Sequence, residues 1–233
     1  MSLEKPIKLI IGLPGSSFSS KFLSSWTETI HALLLSGKYT FMIATGESSF
    51  VTFARMKTLG LDVLRGTDQK AFDDHDYDIF ITLDSDIVFT PDQFFQLIEN
   101  TKTYGAVAGY YMMDDNKHFA VVRDWDETFF VENGFFKFLT TEDIDNWKND
   151  TKKRFMLVDY VGMGFLACRK EVLDAMKYPF FHRKLETFTK EDGTKISSIV
   201  SEDVAFCKNL KKAGFNIFID TDLRVGHEKK MVI

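Results

Sequence analysis

The amino-acid sequence predicts an α/β fold: a mostly parallel central sheet with helices on both faces, and a smaller antiparallel portion in the second half. Three observations predict it. Short apolar runs alternate with stretches of helical period through the first 110 residues. Thr90-Pro91-Asp92 follows the strongest of those runs and carries the signature of a helix start. From residue 118 onward the pattern turns aromatic and β-type, with turn signals at Asp-Trp-Asp and Asn133-Gly134.

Ile7–Gly12 (IKLIIG) is apolar and stops at Gly-Leu-Pro-Gly, a buried strand entering a loop. Over residues 19–36, Phe22, Leu23, Trp26, Ile30, Leu33 and Leu34 recur at helical spacing, and Gly37 ends the helix. Tyr39–Ala44 reads as a second strand, residues 48–59 as a helix, and Leu61–Leu64 as a short third strand. Asp78–Leu83 (DIFITL) is the clearest strand. The helix opened by Thr90 runs to about Lys102, with Thr as cap, Pro at the first position and Asp against the helix dipole. Gly105–Tyr110 follows as a strand. Residues 118–140 read as an antiparallel hairpin, 141–154 as a short helix plus loop, and 182–200 as a mobile polar loop. Ser201–Ala213 is a Ser-capped helix stopped by Gly214, and Phe215–Ile219 a last strand. In a largely parallel sheet, ligands bind beyond the carboxyl ends of the strands, so the loops at 12–17, 45–49 and 84–90 should share one edge.

The chain has 233 residues, enough for one domain with a sizeable core and no need of a disulfide or structural metal. At 45% apolar and 27% charged it is ordinary globular material, which excludes a disordered, collagen-like or disulfide-scaffold protein. A net charge of −5 argues against a nucleic-acid partner, which needs a clustered basic face. Cys168 and Cys207 lie in apolar stretches without a CxxC partner, so both should be free and reduced in a cytoplasmic protein. No apolar run reaches the roughly 18–20 residues of a membrane span, and Met1–Lys8 shows no secretion signal.

Asp84 and Asp86 stand two apart at the end of the clearest strand, so both carboxylates project to one side. A hard divalent cation relieves their repulsion, and Mg²⁺ or Mn²⁺ takes one or two carboxylates and completes its shell with phosphate oxygens. Asp-x-Asp occurs six times in the chain, so the pattern alone is weak. The apolar strand before 84/86 and the capped helix after it set that pair apart, with 220/222 as its rival. Glu202 and Asp203 sit in a first helical turn, where acidic residues favour the dipole, and Asp203 is also placed to act as a general base. His227 follows the last strand and suits a metal shell, since imidazole favours Mn²⁺ over Mg²⁺. Arg55, on the second helix, has the planar fork that grips a diphosphate. Gly162-Met163-Gly164 would admit a sugar or base close to the backbone, or simply make a tight bend.

Together these segments resemble the GT-A nucleotide-sugar glycosyltransferases, in particular the family-2-like type. The resemblance runs in order through the Gly12–Gly15 loop, Ala54-Arg55, Asp84-Ser85-Asp86, Gly162-Met-Gly164-Phe, Ser201-Glu202-Asp203 and Val225-Gly226-His227. It implies a Rossmann-like GT-A domain over 1–233, with a nucleotide-binding half to about 110 and an acceptor and catalytic half from about 111. It implies that Leu13, Pro14 and Gly15 border the base and ribose, and that Arg55, Asp84 and Ser85 also contact the nucleotide. Gly162, Met163 and Gly164 would face the donor sugar, and Asp86 and His227 would hold Mn²⁺ or Mg²⁺. Asp203 would be the base, with Glu202 orienting acceptor or sugar. The implied reaction is transfer from a nucleotide-sugar donor, UDP before GDP, to a hydroxyl of a glycan, lipid or protein acceptor, with inversion. The chain departs from the family in its Leu-Pro-Gly-Ser-Ser loop, in Ala-Arg-Met on the second helix, and in lacking the Gln/Arg-x-x-Arg-Trp acceptor segment after Asp203.

Other readings fit less well. Gly12–Lys21 imitates a P-loop, but Ser17 and Phe18 stand where the motif needs its glycine and lysine. A receiver domain would need an acidic cluster after the first strand and a chain about 100 residues shorter. A sugar-phosphate nucleotidyltransferase would need a basic first loop, and none of the residues before Lys21 in that loop is basic. A nucleotide- or sugar-binding module without turnover differs from the transferase only in catalysis.

Overall fold

The computed structural model describes residues 5–73 and 75–229. The first half runs β1 (Ile7–Pro14), α1 (Ser20–Ser36), β2 (Tyr39–Gly46), α2 (Val51–Thr58), β3 (Ile79–Leu83), β4 (Ile87–Val88), α3 (Pro91–Tyr104) and β5 (Ala106–Tyr110). The second runs β6 (Val121–Val122), α4 (Glu127–Asn133), α5 (Thr141–Thr151), β7 (Phe155–Val158), β8 (Tyr160–Val161), β9 (Phe165–Arg169) and α6 (Lys170–Ala175). It continues with β10 (Leu185–Thr189), β11 (Lys195–Ile199), α7 (Glu202–Lys212), β12 (Ile217–Arg224) and β13 (Gly226–His227).

A seven-stranded sheet in the order β2-β1-β3-β9-β5-β12-β7 forms the centre. Five strands share one direction; β9, between β3 and β5, and β7 at the edge run against them. Strand periodicity divides the core into two layers. Leu9, Ile11 and Leu13 of β1 face Phe22 and Leu33 of α1 and Phe94, Leu97 and Ile98 of α3. Ile10 faces the other way, into a cluster with Met56 of α2, Leu173 of α6 and Phe206 and Leu210 of α7. Helices therefore cover both faces. This is a mixed α/β architecture of the GT-A, Rossmann-like type.

The helix ends follow from local chemistry. Ser19 accepts from Phe22 N at the start of α1, and Gly37 closes it in the left-handed region. Thr90 and Gln93 form a reciprocal capping box with Pro91 in the first turn of α3. Gly46 lets α2 pack hard on β2: a Cβ there would lie 2.1 Å from the Ala54 carbonyl oxygen.

Four expectations change. Leu61–Leu64 is not a strand; Val63–Arg65 is a 3₁₀ turn, because Asp62 caps Leu64 N at 2.8 Å and the Gln69 amide takes both backbone groups of Asp62. Residues 118–140 form only the base of a hairpin, bridged at His118–Thr140; α4 occupies the middle. There Asp126 caps Phe129 N, and Gly134 ends the helix instead of turning a hairpin. Residues 182–200 are not a loop but the β10–β11 hairpin, turning at Asp192-Gly193. The final strand extends to Arg224, and β13 then pairs with β4. Both cysteines are free and buried. Among the described residues, no helix is long and apolar enough to cross a membrane.

Candidate functional site

The three loops expected on one edge meet there. Pro14, Gly15, Asp84, Ser85 and Asp86 line a cleft of about 370 Å³ with Ser16, Ser17, Ser48, Ser49, Val51 and Ala54. Five serines give it a wall of hydroxyl groups. Gly15, at φ 134°, donates from its N–H to the Gly46 carbonyl at 2.8 Å, which holds the β1 loop against the end of β2. Phe50 gives α2 no side-chain cap, and the helix starts at the cleft rim, where Val51 and Ala54 line it. Leu13 does not line the cleft; its side chain lies in the core.

Arg55 is 3% exposed and does not line the cleft either. Its fork grips Asp84, Nη1 to Oδ1 at 2.9 Å and Nη2 to Oδ2 at 3.0 Å. Its Nε stands 3.6 Å from Asp203 Oδ1 and 3.9 Å from Glu202 Oε1. One guanidinium thus joins the end of β3 to the start of α7. Burial opposes the Arg55 charge, but Asp84 and Asp203 outweigh it and raise its pKa. Glu202 has a second cation in Arg183, at 3.1 Å. Asp203 Oδ2 accepts from Met163 N at 3.4 Å, while Oδ1 is buried without a hydrogen bond. Burial pushes the Asp203 carboxyl up to about 7, against the pull of Arg55 and with help from Glu202 and Asp84. Such a carboxyl changes its protonation near neutral pH, with Oδ1 enclosed beside the Arg55 Nε.

Asp86 meets His227 because β13 pairs with β4 and Glu228 N donates to the Asp86 carbonyl at 2.7 Å. His227 Nδ1 lies 2.8 Å from the Met112 carbonyl, which only accepts, so Nδ1 carries hydrogen. Nε2 then faces Asp86 Oδ2 at 3.2 Å. Burial lowers the His227 pKa, but Asp86 and the Met112 bond together raise it; Asp86 is correspondingly lowered. A backbone carbonyl that holds Nδ1–H is the usual outer shell of a metal-binding histidine and leaves Nε2 as its free ring nitrogen once Asp86 lets go. Among the described residues no group of three or more His, Cys, Asp or Glu gathers for a metal. Asp86 and His227 could supply two ligands, a carboxylate and an imidazole, to a divalent ion that takes the rest of its shell from phosphate and water.

Gly162, Met163 and Gly164 are buried beneath this site. The space a Cβ would need at Gly162 is filled by the Tyr111 hydroxyl, 2.3 Å away, and at Gly164 by the Tyr111 ring at 2.9 Å. Tyr111 also accepts from Gly164 N at 3.1 Å and packs edge-on against His227, with ring centres 4.8 Å apart. The rival Asp220 is fully buried, clamped by Arg154, Gln96 and Asn100, and Asp222 pairs with Lys148. That pair braces β12 and α3. Three residues escape a reading by motif: Tyr111, Arg183 and Lys229. Lys229 had a signal, lying two residues after His227 along an extended segment. Tyr111 and Arg183 had none.

No protein-family model matches the chain, and no curated protein sequence matches it. Among solved structures, GalNAc-T7, a GT-A glycosyltransferase solved with UDP, GalNAc and Mn²⁺, is similar over 97% of this chain. The TM-score is 0.52 and the identity 10%. This chain covers 43% of that protein, less than half its length. The likeness extends to the fold: the chain has a GT-A-like fold. A197 from STIV is similar over 98% of this chain and 97% of that one, at a TM-score of 0.46 and 17% identity.

Proposed function

We propose that this protein is a glycosyltransferase that moves a sugar from a nucleotide-diphosphate donor, UDP by preference, to an acceptor hydroxyl with inversion. One observation carries the reading. Asp84, from the end of β3, and Glu202-Asp203, from the start of α7, converge on Arg55 beside a serine-lined cleft. The uncapped α2 and the serine hydroxyls suit a diphosphate and ribose there.

Asp86 and His227 Nε2 would hold a divalent ion, which when bound supplies Lewis-acid stabilisation of the leaving diphosphate. Asp203 takes the proton from the acceptor hydroxyl, whose oxygen attacks the anomeric carbon from the face opposite the diphosphate. Arg55 orients Asp203 and Asp84 from beneath rather than touching phosphate, because its fork is already engaged. Glu202, held between Arg55 and Arg183, fixes the first turn of α7. Gly162 and Gly164 serve the sugar only indirectly, by seating Tyr111 under the metal ligands.

The test is release of nucleoside diphosphate from a panel of UDP- and GDP-sugars with Mn²⁺ and simple acceptor glycosides. The anomeric configuration of the product is read by NMR. Asp203→Asn should lower the transfer rate by about 10²–10⁴-fold. A product of retained configuration, or full activity in Asp203→Asn, would refute the role given to Asp203.

A further inference from the structure

We propose that Lys229 is a phosphate-binding residue: it neutralises Asp86 in the unliganded protein and turns onto the donor diphosphate when a divalent ion takes its place. This rests on the cleft being a nucleotide-diphosphate site.

Lys229 Nζ stands 3.2 Å from Asp86 Oδ2, the same oxygen that faces His227 Nε2, and 3.6 Å from Asp114 Oδ1. The placement is built by backbone. β13 pairs with β4, and Glu228 N donates to the Asp86 carbonyl, so residues 227 and 229 flank an anchored Glu228 and reach the same carboxylate.

Charge accounting singles this lysine out. None of the residues lining the cleft is Lys or Arg, yet Asp84 and Asp86 are both there. A diphosphate entering it meets two carboxylates and needs cations. Arg55 is buried and bound to both oxygens of Asp84, and Arg183 is on Glu202. His227 serves as a ligand only through a free Nε2 lone pair, so it adds no positive charge once a metal is bound. Among the described residues, Lys229 is the remaining cation in contact with these carboxylates. Its side chain is 43% exposed, on a flexible four-carbon stem.

The Lys229–Asp86 pair is also easy to release. Ion pairs this open to water contribute little, unlike the enclosed Arg55–Asp84 fork. An ammonium and a divalent ion on one carboxylate oxygen repel each other, so metal entry at Asp86 expels Lys229. The phosphate that completes the metal shell then competes for the ammonium with Asp114, whose carboxylate is exposed. Asp114, exposed and already 3.6 Å from the ammonium, keeps it near the cleft mouth when Asp86 is taken.

Calorimetric titrations of the purified protein test this with three probes: Mn²⁺ alone, pyrophosphate in Mn²⁺, and UDP in Mn²⁺. In Lys229→Ala, pyrophosphate and UDP should bind at least tenfold more weakly, while Mn²⁺ alone binds several-fold more tightly because its competitor is gone. Lys229→Arg should retain the anion affinities. Equal affinities for all three probes in wild type and Lys229→Ala, with UDP binding intact, would overturn the assignment and leave the transferase reading standing. A wild-type protein that binds neither UDP nor pyrophosphate would overturn the transferase reading itself.

Discussion

Asp203 owes its raised pKa to its position at the buried start of α7, where Glu202 and Asp84 add negative charge against the pull of Arg55. The sign of the pH effect follows. An ordinary Asp titrates near 3.8, whereas Asp203 in the folded chain titrates near 7. Between those values the folded state keeps a proton that the unfolded chain has lost. The stability this adds is complete below the lower value and is lost as pH rises through the upper one. Melting curves from pH 4 to 8 should therefore show wild type losing stability relative to Asp203→Asn as pH rises. Activity should run the other way, with kcat/KM climbing through about pH 7 as Asp203 deprotonates. A flat kcat/KM profile from pH 5.5 to 8.5 would contradict the base assignment. Arg55 gives a second residue-scale prediction. Arg55→Ala leaves Asp84 without its partner in a partly buried site, a loss of about 3–5 kcal/mol, or roughly 6–20 °C in Tm. The sequence made Arg55 legible as a functional residue but not its direction. An arginine about one turn into a helix reaches a ligand or a neighbouring carboxylate equally well, and only the folded distance to Asp84 decides.

At the scale of the element, legibility tracked how one-sided each segment's burial is. β1, β3 and β5 are enclosed by two core layers and announce themselves as apolar runs. β10 and β11 are exposed or half-buried at nearly every position, so no apolar alternation marks them; Phe188 is the buried exception. Their signal was the Asp192-Gly193 turn at the centre of the segment. Asn133-Gly134 misled in the opposite direction, because glycine in the left-handed region ends a helix as readily as it turns a hairpin. The β10–β11 pair stands outside the main sheet, so its amides should lose hydrogen-exchange protection well before those of β3 and β9. Equal protection would mean the hairpin belongs to the same cooperative unit. The bend between β8 and β9 gives a sharper test. Gly162→Ala drives a methyl into the Tyr111 hydroxyl and should cost about 1–3 kcal/mol. Combining it with Tyr111→Phe should recover part of that loss in denaturant titrations, because the atom at 2.3 Å is removed.

For the whole molecule, the order of the chain explains why the fold was readable and the site only partly so. Five strands share one direction and come with the helices that the hydrophobic period announces. The insertion of β9 between β3 and β5 is a long-range pairing that no local pattern encodes. That insertion brings Gly164 to Asp84, whose N–H donates to the Gly164 carbonyl at 2.9 Å. Met163 lies in the same bend and meets Asp203. The site is thus assembled from residues more than 100 positions apart, and its motifs could be named from the sequence while their contacts could not.

The central claim is that the cleft at Asp84–Asp86 binds a nucleoside diphosphate with a divalent ion. The most direct measurement is a thermal-shift panel of UDP, GDP, CDP, dTDP and CMP, each with and without Mn²⁺. A ligand at 100 times its Kd adds about 2.7 kcal/mol, a shift of several degrees for a chain of this size. Such a shift is expected with one diphosphate, enlarged by Mn²⁺, with the Mn²⁺ enhancement abolished in Asp86→Ala. No shift with any nucleotide in the presence of Mn²⁺ would contradict it and reduce Asp84 and Asp86 to the carboxylates of a turn.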